Sequence, residues 1–215
     1  MPEHKLHQRL GREVQGAEPL LESIGECVSL FGGSRVKPNS RGYLAAQETA
    51  RLLSAAGMSI MTGGGPGIME AGSKGAQLGK NGKSVGLIIT LPFEEAANPH
   101  LDIEIKFEHF ASRKVTFCRY STAFVCFEGG IGTLDELSEV LCLASTGKQP
   151  KRPVILYDTH FWTGLVEWMG RTMGGAGLLD ESLLSELIFV DHPQDVLPAI
   201  RQWEAAHASP QAKAA

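Results

Sequence analysis

Three glycine-rich segments could hold a ligand. They are Gly32-Gly33-Ser34-Arg35, Thr62-Gly63-Gly64-Gly65-Pro66-Gly67 and Gly129-Gly130-Ile131-Gly132-Thr133. Each follows an apolar run of strand length and precedes a stretch with helical spacing. Glycine lets the backbone approach a ligand closely, and a helix start offers unpaired N–H groups at the positive end of its dipole. That combination suits a phosphate. Plain strand-to-helix turns also use glycine, and it is the repetition along one sheet edge that favours a ligand. No GxxxxGK(S/T) is present and no GxGxxG opens a helix, which argues against a P-loop ATPase and a dinucleotide site. The third segment is the strongest phosphate candidate, because Thr133 can offer a hydroxyl as well as its N–H. A simple helix cap would use the same geometry.

Two charged positions accompany these turns. In the helix after the third turn, Leu134, Leu137, Val140, Leu141 and Ala144 form an apolar face at 100° per residue. Asp135 and Glu139 fall almost opposite and are expected to be solvated. Glu136 lies at the border, where it either looks into a cleft above the glycine turn or meets solvent. Arg113-Lys114 follow Phe107-Glu108-His109-Phe110, and a cationic pair in such surroundings must reach solvent or pair with an anion. Glu136, Glu108 and a substrate phosphate are the candidate partners. The seven histidines form no HExxH or other ligand cluster, so structural or solvated roles and no metal site are expected.

The elements that must position these residues alternate through the chain. Strands are predicted at 27–31, 58–62, 84–90, 123–127, 154–157 and 187–190, mostly as continuous apolar runs typical of parallel strands covered on both faces. Asp102–Phe107 alternates polar and apolar residues and reads as a half-exposed or edge strand. Helices are expected after Ser40, ending at Gly57, and over 67–78, 110–120, 133–144, 161–173 and 194–207. This alternation predicts a doubly wound, mostly parallel Rossmann-like α/β sheet with helices on both faces, a three-layer αβα architecture. Residues 23–207 would form a single domain, with residues 1–22 an N-terminal arm and 208–215 a flexible tail. The net charge of −4 and pI of about 6.0 argue against a nucleic-acid-coating protein. No apolar run approaches the roughly 20 residues of a membrane span. The polar N-terminus lacks a signal-peptide core. The four cysteines contain no CxxC pair and read as buried thiols of a cytoplasmic protein.

At the level of motifs the chain resembles a known family. TGGGPGIMEAGSKGA (62–76), SRKVTF (112–117) and GGIGTLDE (129–136) look like the signature segments of the LONELY GUY phosphoribohydrolases, Rossmann-like proteins often labelled "lysine decarboxylase". The resemblance runs from about Cys27 to Asp158 with all motifs in order. It implies hydrolysis of the N-glycosidic bond of a purine nucleoside 5′-monophosphate, cytokinin-type or AMP-like, to free base and ribose 5-phosphate, without a cofactor. By position, Arg113 and Glu136 would be the catalytic pair. The third turn (Gly129, Gly130, Gly132, Thr133) would hold the phosphate, with Gly33, Ser34, Arg35, Gly63, Gly64, Gly65 and Lys114 around the same pocket. Two features depart from the pattern. Glu128 stands where the family usually has Pro, and a carboxylate there repels a phosphate unless it points away. The segment Leu91–His109 also differs from the plant enzymes, with Phe-Glu-His-Phe-Ala-Ser in place of a Met-His pair near the Arg-Lys, so cytokinin preference does not carry over.

Two other readings compete. One is a non-catalytic nucleotide- or cofactor-binding module on the same fold. The other is a pyridoxal-phosphate decarboxylase with Lys114 as its Schiff-base lysine. The helix 110–120 carries apolar residues on several sides, which a neighbouring helix or a partner chain must cover; with the family resemblance, a homodimer or larger homo-oligomer near Arg113 is expected.

Overall fold

The computed structural model describes residues 5–91 and 96–208; the expected tail beyond Ala208 lies outside the described residues. Seven strands form one sheet: β1 Cys27–Phe31, β2 Ser59–Thr62, β3 Ser84–Ile89, β4 Ile103–Phe107, β5 Ala123–Cys126, β6 Val154–Tyr157 and β7 Leu187–Val190. Every pairing is parallel, in the order β4-β3-β2-β1-β5-β6-β7. Among the described residues eight α-helices join and flank the strands, with none between β3 and β4 and two between β6 and β7: α1 Leu6–Leu21, α2 Arg41–Ala55, α3 Ile68–Gly79, α4 Phe110–Tyr120, α5 Ile131–Ser145, α6 Thr159–Trp168, α7 Glu181–Ser185 and α8 Pro193–His207.

The continuous apolar strands feed two cores at once, since successive side chains point to opposite faces. Cys27 and Phe31 pack with Phe117, Leu137 and Trp162 on the side of α1, α4, α5 and α6. Val28 and Leu30 pack with Leu53, Ile68 and Ile200 on the side of α2, α3 and α8. This is the doubly wound three-layer arrangement that the alternation predicts. β4 is a sheet edge, as its pattern implied: Ile105 and Phe107 are buried while Glu104 and Lys106 are exposed and ion-paired.

Local signals set most boundaries. The Ser40 hydroxyl accepts from Tyr43 N–H at 3.4 Å to start α2, and Gly57 takes the left-handed φ of +92° just past its end. The helix expected at 161–173 starts earlier and stops sooner. Asp158 caps it by accepting from Phe161 N–H at 3.2 Å, and a π turn, Met169–Gly174, follows it.

Two expectations need correction. The segment read as an arm carries α1, which buries Ala17 and Leu21 and packs on α4. Gly11, Gly16 and Pro19 hide its periodicity, and its anchor is tertiary. The Glu13 carboxylate accepts from Glu108 N–H, pairs with His109 Nδ1 at 2.9 Å and is bonded by the Ser112 hydroxyl, so it ties α1 to the segment that opens α4. Burial would raise the Glu13 carboxyl, but the hydrogen bonds from Ser112 and His109 outweigh it and hold the group below the usual carboxylate range. Among the cysteines, Cys27, Cys118 and Cys126 are buried but Cys142 is exposed. It sits one position past buried Leu141, and a 100° step turns it outward.

The chain lays down β1 to β4 outward in one direction and then returns to place β5 on the other side of β1. The crevice beyond the carboxyl ends of β1 and β5 is therefore the switch point, where such sheets bind ligands. Backbone bonds lock the surrounding loops: Gly33 N–H donates to Glu128 O at 2.9 Å, and Ile68 N–H donates to Gly33 O at 3.1 Å. Gly67, at φ +67°, makes the second contact possible, since a Cβ there would overlap the Gly33 and Ser34 backbone.

Candidate active site

A cleft of about 1300 Å³ occupies the switch point. Gly33, Ser34 and Arg35 bound it beyond β1, and Gly63, Gly64 and Gly65 beyond β2. Gly129, Gly130, Gly132 and Thr133 bound it beyond β5, and Arg113 and Glu136 project into it from α4 and α5. The structure thus gathers every candidate residue except Lys114.

Arg113 is 8% exposed and its guanidinium is held on three sides. Its Nε donates to Leu87 O at 2.7 Å, just past the last pairing of β2 with β3 at Thr62 and Gly86. Its Cζ lies 5.2 Å from the Phe117 ring centroid, one helical turn along α4. The third side is Gly63, where a Cβ would overlap Nη2. Glycine is needed there so that the arginine can lie against the backbone. The guanidinium therefore has a fixed orientation, with Nη1 facing Glu136 Oε1 at 3.7 Å.

That separation is an ion pair but too long for a hydrogen bond. Burial raises the Glu136 carboxyl above its usual range, outweighing the lowering by Arg113. Burial likewise lowers the Arg113 guanidinium more than the pairing raises it. Both shifts have one cause: the pair is desolvated but not in close contact, so each charge is incompletely compensated. A carboxylate of raised basicity beside a fixed cation, in a cleft, is suited to proton transfer and to stabilising positive charge.

Lys114 is a correction. Its Nζ bonds Asp135 and Glu139, each at 2.8 Å, and the residue does not line the cleft. Neighbours on a helix are 100° apart, so with Arg113 facing inward Lys114 must face α5. Burial alone would lower its ammonium, but the hydrogen bonds it donates to Asp135 and Glu139 outweigh this and raise it. The same contacts correct the expectation that Asp135 and Glu139 are simply solvated.

The third glycine turn leaves unpaired donors suited to an anion. Gly130 caps α5 without a side-chain bond, and the first turn holds no acidic residue. Among the described residues, the N–H groups of Ile131, Gly132 and Thr133 and the Thr133 hydroxyl have no hydrogen-bond acceptor. Thr133 packs over Gly129, where a Cβ would overlap its side chain. Gly130 and Gly132 differ, since a Cβ on either meets no atom within 4 Å. Internal packing does not require glycine at these two positions.

Glu128 lies against Gly42 at the start of α2, on the cleft wall. Burial, then Asp158, raise its carboxyl, while Arg41 opposes them. The residue thus points toward the amino end of α2 and away from that of α5. Sequence reasoning missed the cleft mouth, where Phe110, Ile131 and Phe161 are 52%, 81% and 45% exposed. An apolar residue inside a glycine loop, Ile131, was the available signal. It also missed buried Asn98, beneath the second turn, whose Asn-Pro dipeptide reads only as loop.

Residues 69–200, more than half of the chain, match the family model described as "Possible lysine decarboxylase". A cytokinin riboside 5′-monophosphate phosphoribohydrolase of Mycobacterium marinum is 29% identical over 148 residues, 68% of this chain and 79% of that protein. A pyrimidine/purine nucleotide 5′-monophosphate nucleosidase of Escherichia coli K12 is 30% identical over 167 residues, 70% of this chain. The match spans 36% of that longer relative. The molybdenum cofactor carrier protein of Chlamydomonas reinhardtii shares the fold, with a TM-score of 0.60 and 21% identity over 84% of this chain and 98% of that one. With its motifs, its sheet and the match over most of its length in agreement, the chain belongs to the LONELY GUY family, whose model carries the description "Possible lysine decarboxylase".

Proposed function

We propose that the protein hydrolyses the N-glycosidic bond of a purine nucleoside 5′-monophosphate, cytokinin-type or AMP-like, releasing the free base and ribose 5-phosphate. The observation that carries this reading is the buried Arg113–Glu136 pair facing the uncapped start of α5 within one cleft. The 5′-phosphate sits on the N–H groups of Gly132 and Thr133 and on the Thr133 hydroxyl. Breaking the bond from C1′ to the base leaves positive charge on the sugar, which the Glu136 carboxylate stabilises by analogy with glycoside hydrolysis. Glu136 also takes a proton from the attacking water, whose oxygen forms the new bond to C1′, and the departing base gains one proton. Arg113 keeps Glu136 oriented and ionised. Incubating the protein with a panel of nucleoside monophosphates and measuring released base tests the proposal. Free base and ribose 5-phosphate are expected in equal amounts, and no release from any purine monophosphate rejects it.

The likeness to a cofactor carrier keeps one other reading in view, a non-catalytic binding module on the same fold. The Arg113–Glu136 pair favours the enzyme, because binding alone does not need a desolvated carboxylate of raised basicity. A pyridoxal-phosphate decarboxylase finds no support, since its only proposed lysine, Lys114, faces two carboxylates outside the cleft. No described helix is long and apolar enough to cross a membrane. The buried thiols of Cys27, Cys118 and Cys126 suit a reducing compartment, and we place the protein in the cytoplasm.

The working form in this proposal is a symmetric homo-oligomer, at least a dimer, with α4 near the two-fold axis. Phe110, Ile131 and Phe161 are exposed apolar residues at the cleft mouth, suited to contact with a second copy, and Val115 on α4 is exposed as well. The cleft is also larger than the roughly 300–1,000 Å³ usual for small ligands, as expected if a partner closes it. Sedimentation at micromolar concentration should give at least twice the 23.1 kDa chain mass. A fully active species at the chain mass would show that each site is complete in one chain.

A further inference from the structure

The second glycine turn rests on a buried polar assembly for which the proposed chemistry gives no reason. Asn98, Ser73 and Thr62 are 7%, 0% and 0% exposed. A buried polar network is costly unless its members are paired, and these are. Gly64 N–H donates to Thr62 Oγ1 at 3.1 Å, and Thr62 Oγ1 lies 3.5 Å from Ser73 Oγ. Ser73 in turn donates to Met69 O at 3.0 Å. Asn98 closes the assembly with both its backbone and its side chain. Its N–H donates to Gly64 O at 2.8 Å, and its Nδ2 donates to Gly65 O at 3.2 Å and to Ser73 Oγ at 3.3 Å. Its Oδ1 accepts from His100 N–H at 3.1 Å, which fixes the amide with its NH₂ toward the turn.

Two consecutive carbonyls, Gly64 and Gly65, therefore point at Asn98. In a planar trans peptide the N–H lies opposite the C=O. The Gly65 N–H, in one plane with the Gly64 carbonyl, consequently points away from Asn98. It has no acceptor among the described residues, and Gly65 lines the cleft. The next residue, Pro66, has no N–H to offer. Gly64 adopts φ +74° and lies against Ile88 and Gly86, so the turn cannot easily rotate. The adjoining Gly63 supports the Arg113 guanidinium.

We propose that Asn98 is a positioning residue that presents the Gly65 N–H to the cleft as a hydrogen-bond donor to an uncharged acceptor on the nucleoside, a sugar oxygen or a base nitrogen. This deepens the nucleotide reading and rests on it. The anion seat is at the other wall, on α5, so the two contacts orient the substrate from its two ends. One turn thereby supports Arg113 through Gly63 and the nucleoside through Gly65.

The direct test is the Gly65 amide resonance of the ¹⁵N-labelled wild-type protein, titrated with formycin 5′-monophosphate, whose C–C glycosidic bond is not hydrolysed. The expected result is a downfield shift of Gly65 together with shifts of Gly132 and Thr133. Inorganic phosphate should move Gly132 and Thr133 but leave Gly65 in place. Ribose 5-phosphate separates the two acceptors: it shifts Gly65 if the acceptor is on the sugar and leaves it unmoved if on the base. Shifts at Gly132 and Thr133 without Gly65, or a Gly65 response to phosphate alone, overturn the proposal and leave the nucleotide reading standing. No shift anywhere with formycin 5′-monophosphate rejects both.

The variant Asn98→Asp supplies a second measurement. It is isosteric but puts an acceptor against the Gly65 carbonyl. Loss of one preorganised donor predicts a fall in kcat/KM of about 30-fold or more, while inhibition by inorganic phosphate stays within about 3-fold. A merely structural role would weaken both together. A folded Asn98→Asp protein with kcat/KM within about 3-fold of wild type overturns the proposal, and if this variant does not fold the wild-type Gly65 titration decides.

Discussion

Replacing Glu136 by alanine is expected to lower release of base from AMP by about two or more orders of magnitude, and Arg113→Ala should do the same. Both side chains face the cleft and lie outside the strand pairing of the sheet, so both variants should remain folded. The losses have different origins. Without Glu136 the carboxylate proposed to stabilise the sugar cation and to take the proton of water is lost. Without Arg113 the carboxylate remains but loses its nearest opposite charge, 3.7 Å away. Because the two act as a unit, the double variant should be little worse than either single one. Base release by Glu136→Ala at a rate near wild type would remove the assignment.

The pH dependence follows from the same pair. In the proposed mechanism Glu136 acts ionised, and burial raises its carboxyl above the usual glutamate value of about 4.3. Activity should therefore fall as pH drops through a limb lying above that value. Arg113 lowers the carboxyl while Asp135 raises it and Lys114 lowers it slightly. Removing the arginine charge with Arg113→Gln should move the limb of the residual activity to higher pH. A limb that moves to lower pH would show that the carboxylate titrated is not Glu136.

The scaffold was legible because β1, β2, β3, β5 and β6 are mostly apolar and the turns after β1, β2 and β5 carry glycine. Arg113 and Glu136 were less legible. Helical angles place Glu136 only at a border, and an Arg-Lys pair leaves open which of the two faces inward. What decides it is tertiary: the Leu87 carbonyl, the Phe117 ring and the bare Cα of Gly63 form a seat that only residue 113 reaches. Lys114 was misassigned because its partners, Asp135 and Glu139, lie on another helix. α1 was misread for a similar reason. Its glycines and Pro19 weaken the local pattern, while its anchor, Glu13, is bonded to residues of the distant segment 108–112. Glu128 was visible as a departure from the family pattern, but its direction depends on Gly42 leaving room for the carboxylate.

A strong preference for the 5′-monophosphate over the free nucleoside is the second large effect expected. The seat offers the N–H groups of Gly132 and Thr133 and the Thr133 hydroxyl, none bonded within the described chain. Hydrogen bonds to a charged group contribute about 1.5–3 kcal/mol each, so losing two of them with the phosphate should reduce kcat/KM by at least about 100-fold. Comparing AMP with adenosine measures this directly. Gly130→Ala and Gly132→Ala probe the seat itself. A Cβ at either position meets nothing within 4 Å, and neither residue has a positive φ, so the variants should match wild type in thermal stability. A methyl group on the face where the phosphate approaches should nevertheless raise KM for AMP about 10-fold or more and leave adenosine unaffected, since loss of one charge-assisted contact has that size. Stability and KM changing together would mean that these glycines serve the fold. Equal efficiency on AMP and adenosine would remove the anion seat from the mechanism and turn attention to Glu128. Glu128→Gln then separates two causes: a phosphate preference that appears in this variant assigns the loss to the Glu128 charge on the cleft wall, and the lack of one rejects the seat outright.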